Sequence, residues 1–348
     1  MKVSIGTNIK EGPWGGGNLF AKSLKNYLEK NNHEVHTDLS DAKLDIILIT
    51  EPRKTSESSS FTHDDVLKYL KYTNPNSIVI HRLNECDERK NTKYVNKFMI
   101  NANKVSDASI FVSQWLKNLY LRQGISQREK YVVLAGADRN IFNSNNFKPW
   151  NGKSKLKIVT HHWGANWNKG FEIYLFLDNL LENPEWNKRI SFTYIGNIPR
   201  KVKFKNTNVV KPLSGKDLAK KIKSNHLYLT ASVNEPSGNH HIEAAQCGLP
   251  LLFINSGGIP EYCNGFGEMF ENKDDFIKKL ELMLNNYDTY LSKMSNYPND
   301  AEQMSKEYLQ IFYNLYNSKS LVLSKRNINL SHKILERFIY NFRRNNLI

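Results

Sequence analysis

Residues 234–250, NEPSGNHHIEAAQCGLP, gather Glu235, Glu243, His240, His241 and Cys247 within seventeen positions. Groups of these types ligate metals, exchange protons as paired carboxylates, or hold the hydroxyls of a ligand. Spacing discriminates among the three. The Pro-Ser-Gly turn predicts a helix from about Asn239 or His240, capped by Ser237 or Asn239 and stopped by Gly248. Glu235 then lies in the loop before the helix and Glu243 in its first turn or so. Both can face a cleft between domains, and on a continuous helix they would stand about 12 Å apart along the axis. His240 and His241, about 100° apart around a helix, do not converge on one ion. His240 and Glu243 lack a third ligand at a recognisable spacing, so no metal site is expected. Cys247, beside Gly248 and Leu249, reads as a packing residue rather than a nucleophile.

Three further loops could carry chemistry. GPWGGGNLF, residues 12–20, separates a strand from a helix, and Gly15, Gly16 and Gly17 let backbone approach a phosphate or sugar hydroxyl at the positive helix end. A plain glycine-rich turn has the same composition. The dinucleotide fingerprint is not matched, because no third glycine stands at the needed offset and no acidic residue closes the next strand. HRLNECDERK, residues 81–90, is delivered by the strand SIVIH to the carboxyl end of a sheet. His81, Arg82 and Asp87 are therefore candidates for contact with a reacting sugar or an acceptor; the alternative is a charged loop in which Asn84 or Asp87 caps. THHWGANWNKGFE, residues 160–172, again joins a strand to a helix. Lys169 there can meet a diphosphate as a point charge, and the histidines and tryptophans can line a pocket.

The elements that must position these residues alternate, short apolar runs with longer amphipathic segments, which is the pattern of βαβ units on a parallel sheet. KVSIGT, LDIILIT, SIVIH, ASIFV and KYVVL read as strands of a first doubly wound half. LKIVTHH, ISFTYIG, NVVKPL, LYLTAS and LPLLFIN read as strands of a second, with amphipathic helices between them. The polar stretch NSNNFKPWNGKS, residues 143–154, marks a linker. The expected domains are 1–147 and 148–317, followed by a basic helical extension, 318–348. In that extension residues 324–348 carry six Lys and Arg against one Glu, with Leu330, Ile334, Phe338 and Phe342 four apart. It reads as a packing helix with a solvated basic face or as an interfacial helix on anionic membrane.

With 348 residues, 40% of them hydrophobic, the chain is large enough for two cores. Its net charge of +15 favours anionic partners. The cations are spread along the chain and no zinc-finger or ribonucleoprotein motif accompanies them, so no specific nucleic acid is expected. Cys86, Cys247 and Cys263 are too few and too scattered for a disulfide framework, which fits a cytoplasmic setting. No run approaches the roughly 18 apolar residues of a membrane span, and MKVSIGTNIKEG reads as a strand and loop rather than a signal peptide.

Glu235 and Glu243 enclose seven residues, and EAAQCGLPLL and SGGIPEYC follow. These segments resemble the E-x7-E region of retaining GT-B glycosyltransferases, glycosyltransferase family four in particular. GGGNLFAKSLKNYLEKNNHEV, VSDASIFVSQWLKN, VVLAGADRNIF and the NKG before a helix are similar to other segments of that family, in the same order along most of the chain. The resemblance implies an α/β GT-B architecture, two Rossmann-like doubly wound parallel-sheet domains facing a cleft, with C-terminal helices. It implies transfer, with retention, of a sugar from a nucleotide-diphosphate donor to a carbohydrate or lipid-linked acceptor, with no cofactor and no metal. In this reading the first domain takes the acceptor and the second the donor. Glu235 lies near the donor sugar, Lys169 binds the diphosphate and His81 sits beside the sugar. Glu243 holds the ribose hydroxyls, Gly15 and Gly16 approach from the other domain, and the backbone of Gly257 and Gly258 flanks the donor. The chain departs from the family in two places. Trp163 stands six residues before Lys169, where an arginine is usual, leaving His162 or Arg200 as substitutes. Asn239, His240 and His241 replace apolar residues, which makes Asn239 and His240 candidates for donor preference. Two other readings stay open: a GT-B nucleotide-sugar epimerase or phosphorylase, and a non-catalytic anion or nucleic-acid binding protein.

Overall fold

Apolar runs such as Ile46–Ile49, buried at all four positions, cannot expose either face to water, and they build sheets covered on both sides. A computed structural model describes residues 1–12, 15–125 and 129–331, with 336, 337 and 340. Two six-stranded sheets result, and every pairing in them is parallel. The first comprises β1 (Lys2–Ile5), β2 (Glu34–His36), β3 (Ile46–Ile49), β4 (Ile78–Leu83), β5 (Ala108–Phe111) and β6 (Glu129–Val132), in the order β2-β1-β3-β4-β5-β6. The second comprises β7 (Leu156–His162), β8 (Ile190–Gly196), β9 (Asn208–Val210), β10 (Leu227–Thr230), β11 (Leu251–Ile254) and β12 (Gly267–Phe270), in the order β12-β11-β10-β7-β8-β9. The expected α/β class with two doubly wound parallel sheets is the observed one. β12 was not among the strands expected from sequence: its apolar run is short, and it opens on Gly267, where an added Cβ would lie 1.6 Å from the Leu251 carbonyl oxygen.

The chain forms two compact units whose boundaries differ from a single cut at 147/148. One unit is Met1–Glu85, Lys93–Val133 and Glu302–Ile348; the other is Cys86–Thr92 and Leu134–Ala301. The difference has a packing cause. Met304, Tyr308, Phe312 and Leu315 of the helix Ala301–Asn317 join Val3, Ile5, Phe20 and Leu24 in the core of the first unit. Ala135, Ala137 and Phe142 join the core of the second. Of the expected basic extension, the helix Lys319–Ser324 is described, and Arg326 is tied to Asp107 and to the carbonyls of Pro75 and Ser77. Leu330 packs against the first unit's other core, while Ile334, Phe338 and Phe342 lie outside the described residues. Among the described residues no helix is long and apolar enough to cross a membrane.

In the second unit, alternate residues of each strand serve opposite faces. Val159, Tyr228 and Leu251 pack with Ile242 and Ala244 on one side; Ile158, Leu229 and Leu252 pack with Tyr174, Leu177 and Phe192 on the other. The chain runs outward from β7 to β8 and β9, then returns to start β10 on the other side of β7. β7 and β10 are thus neighbours whose connections leave in opposite directions, the switch point at which open α/β sheets form a ligand crevice.

Candidate active site

At the carboxyl end of β7 the chain makes a loop and a short turn, Trp167–Lys169, before the helix Phe171–Leu180. Gly170 joins turn to helix at φ +102°, and an added Cβ there would meet the Ala231 backbone at 2.8 Å. Only glycine fits that conformation so close to the segment after β10. The turn buries Lys169, whose Nζ lies 2.5 Å from Glu235 Oε2.

Glu235 is positioned as tightly as its partner. Asn234 precedes it at φ +52°, a left-handed conformation that asparagine tolerates, and donates its backbone N–H to Ser256 Oγ at 2.9 Å. Gly257, at φ +65°, packs so closely that an added Cβ would lie 2.4 Å from the Glu235 carbonyl oxygen. The Gly258 N–H donates to that oxygen at 2.8 Å. Gly257 and Gly258, expected beside a donor, therefore hold the backbone of Glu235.

A second cation completes the group. Arg89, on the short helix Asp87–Lys90, places Nε 3.0 Å from Glu235 Oε1, and Asn168 Nδ2 donates to the Arg89 carbonyl oxygen at 3.2 Å. Burial opposes the charge of Glu235, but Arg89 and Lys169 outweigh it and hold the carboxyl down at about 2. One ionised carboxylate thus sits between two cations in the second unit. Arg89 was not singled out from sequence. Its partner is 146 positions away, and the only local signal was its place in a charged loop after a strand.

The other carboxylate has a separate network. Glu243, the fifth residue of the helix Asn239–Gln246, has Oε2 2.8 Å from His161 Nε2, and both side chains are buried. A carboxylate only accepts, so the ring donates from Nε2, and its Nδ1 faces the Tyr228 hydroxyl at 3.1 Å. His161 was recognised only as a neighbour of His162.

Four histidines cluster here. His162 meets His240 edge-on at 4.6 Å, and His240 meets His241 edge-on at 4.8 Å, between ring centroids. His162 Nε2 meets the Tyr174 hydroxyl at 2.7 Å, and His240 Nε2 meets Thr230 Oγ1 at 2.8 Å. Burial, then the charge of Lys169 and the neighbouring imidazoles, pushes both His162 and His240 well below the usual histidine range. His162 is therefore neutral and does not replace a missing cation; Arg200 is exposed, and Arg89 is the second cation at Glu235. His241 is fully buried, held at about 3 by burial, and its Nε2 has no hydrogen-bond partner among the described residues. The rings of His240 and His241, expected to diverge, meet at 3.4 Å between Nε2 and Nδ1. The helix cap also differs from expectation: Gly238 occupies it at φ +81°, because a Cβ there would strike His240 at 2.7 Å and both Glu235 and His241 at 3.0 Å. Asn239 is the first helical residue and is half-buried. Among the described residues the group able to gather three metal-ligand atoms is elsewhere, Glu34, His36 and Asp41 in the first unit, where Lys2 Nζ lies 2.6 Å from Asp41.

The remaining sequence candidates have structural partners. His81, in the middle of β4, is fully buried with Nδ1 3.3 Å from Asn103 Nδ2, rather than at the sheet's carboxyl end. Arg82 stacks 3.9 Å over the Phe20 ring and is 5% exposed, which removes it from contact with an acceptor. Asp87 accepts from Thr92 Oγ1 at 2.5 Å within its own turn. Gly15 caps and Gly16 opens the helix Gly16–Lys30, with open space around Gly15. The structure therefore brings together Lys169, Glu235, Glu243, His162, Asn239, His240, Gly257 and Gly258 in one unit, and leaves His81, Arg82, Gly15 and Gly16 in the other.

Residues 201–303 match the model of a family described as Glycosyl transferases group 1, a stretch that contains both glutamates and both glycines but neither Lys169 nor Arg89. No curated protein matches the sequence. Solved structures are similar in fold. Sucrose-phosphate synthase of Thermosynechococcus elongatus has a TM-score of 0.62 at 14% identity, over 91% of this chain and 99% of that one. HepE of Anabaena, solved with UDP-glucose, has 0.64 at 12%, over 90% and 100%. A glycosyltransferase of Rickettsia africae has 0.57 at 15%, over 88% and 84%. The architecture of this chain is the GT-B fold, and with the group 1 match it supports a GT-B glycosyltransferase.

Proposed function

We propose that this protein is a retaining glycosyltransferase that moves a sugar from a nucleotide-diphosphate donor to a carbohydrate or lipid-linked acceptor, without a metal. The observation that carries the reading is the Lys169–Glu235–Arg89 group at the switch point of the second sheet, its lysine and carboxylate buried. A buried lysine and a half-buried arginine converge on one carboxylate, and cations of this kind are what a diphosphate engages. HepE, the Anabaena neighbour, was solved with UDP-glucose, which fits such a donor.

Donor oxygens accept from Lys169 Nζ, and Glu235 turns to the sugar's hydroxyls while keeping Arg89. Glu243 receives the ribose hydroxyls on Oε1, its Oε2 being held by His161. The acceptor hydroxyl forms a bond to the anomeric carbon on the face that the diphosphate leaves. The anomeric C–O bond breaks, its electron pair passes to the diphosphate, and the acceptor's proton goes to a leaving phosphate oxygen. Lys169 and Arg89 stabilise the charge that develops there. The glycine loop at Gly15 and Gly16 keeps its family role, sugar approach, as part of the proposal, as does a cytoplasmic setting with peripheral contact to anionic membrane; His81, fully buried in the middle of β4, is left out of it.

Thermal unfolding with UDP, GDP, ADP and their sugars tests the site. A ligand at a hundred times its dissociation constant stabilises by about 2.7 kcal/mol. At least one should raise the midpoint in the wild type, and Lys169→Ala and Glu243→Ala should lose the shift and the turnover, each shift being read against that variant's own ligand-free midpoint. Normal turnover in both variants sinks the assignment.

A further inference from the structure

Two of the chain's six tryptophans stand in a single five-residue span, Trp163-Gly164-Ala165-Asn166-Trp167, and both are more than half exposed, at 56% and 52%. An indole that large is rarely left in water without a partner. The span is the loop between β7 and Lys169, and it is anchored from both sides. The Trp163 carbonyl accepts from Asn197 Nδ2 at 2.7 Å, and the Lys169 N–H donates to the Asn166 carbonyl at 3.1 Å. Gly164 lies against the lysine itself, since an added Cβ would come within 3.8 Å of Lys169 Cε. In the span between the two tryptophans, Asn166 Oδ1 is buried without a hydrogen-bond partner among the described residues. The span has no charged side chain.

Exposed rings, one unused acceptor and no charge match a neutral ligand with an apolar face and a hydroxyl donor. A pyranose ring has both. An anionic membrane would call for several cations in the loop, and there are none between Trp163 and Asn168. We propose that Trp163, Asn166 and Trp167 form a saccharide subsite beside Lys169 in the second unit, which takes a neutral sugar ring with its C–H face on indole and a hydroxyl on Asn166 Oδ1. That this sugar belongs to a substrate rests on the glycosyltransferase reading above.

The test uses the full chain and methyl glycosides of glucose, galactose, mannose and N-acetylglucosamine, followed by saturation-transfer NMR with and without UDP, while calorimetry follows UDP itself. At least one glycoside should receive saturation on its ring C–H protons. Trp163→Ala and Trp167→Ala should each weaken it about tenfold, Trp→Phe at either position should keep most of the binding, and affinity for UDP should stay within about twofold. The proposal is overturned if no glycoside binds, if the alanine variants lose UDP instead, as a base-stacking role requires, or if they lose only binding to phosphatidylcholine vesicles. Glycoside binding that depends on both indoles in a chain that binds no nucleotide diphosphate would leave the subsite standing and remove the donor site.

Discussion

Glu235 stays ionised because Arg89 and Lys169 together outweigh the burial that opposes its charge. Its folded value, about 2, lies below the unfolded 4.5, so the stability it contributes is present above about pH 4.5 and lost as the pH falls through 2. Replacing it with glutamine removes that contribution and strands two cations. In urea denaturation, Glu235→Gln should be less stable than wild type by an amount constant from pH 7 to 5, and the gap should close below about pH 4.5; a gap that widens there contradicts the ion-pair account. His241 makes the opposite case. Its buried Nε2 has no partner among the described residues and its ring is neutral, so an apolar side chain of similar size removes a desolvation cost. His241→Leu should gain about 1 kcal/mol of stability. A loss of that size instead would mean that the imidazole holds the cluster together.

The elements around the site act through their glycines. At Gly257 a methyl group would meet the Glu235 backbone at 2.4 Å with φ already at +65°, so Gly257→Ala should cost about 2–4 kcal/mol and displace Glu235. At Gly15 the φ is −64° and nothing lies within 4 Å, so Gly15→Ala should change stability by less than about 0.5 kcal/mol. Denaturation of both variants checks the contrast, and equal costs would refute it. The same distinction explains what sequence revealed. Strands such as LDIILIT and LPLLFIN were legible because burial on both faces leaves an unbroken apolar run, IILI in one and LLFI in the other, and amphipathic helices were legible by their stripe. Gly257 and Gly258 were visible as glycines, but their service to the Glu235 backbone was not, because it depends on a fold that returns the chain 22 positions later. The cap at Gly238 was missed because Ser237 and Asn239 are better side-chain caps, and crowding by His240 and His241 overrode that preference. Arg89 and the His161–Glu243 bond were invisible for the same reason: each joins residues far apart in the chain.

Across the whole molecule, acid should act unevenly on the two units. His162, His240 and His241 in the second unit, and His81 in the first, are held neutral chiefly by burial. His226 in the second unit, held at about 4, acts in the same way, and His33 in the first is also lowered by burial. A histidine whose folded value is lowered binds no proton in the native state but gains one on unfolding below about 6.5. Its contribution is therefore complete above that pH and is lost as the pH falls toward the folded value, about 3 for His81 and His241. Each group can contribute up to about 1.4 kcal/mol per pH unit in that window. Glu235 adds nothing there, because it is ionised in both states until about pH 4.5. Four such groups against two make the second unit the more acid-sensitive. Calorimetric scans between pH 7.5 and 5 should show two transitions, of which the one assigned to the second unit moves further with each unit of pH. His241→Leu, which removes one of the four protons taken up, should flatten that transition's pH dependence by about a quarter and leave the other unchanged. Equal slopes in the wild type, or a variant that alters both transitions, would mean that the buried histidines are not what couples stability to acid.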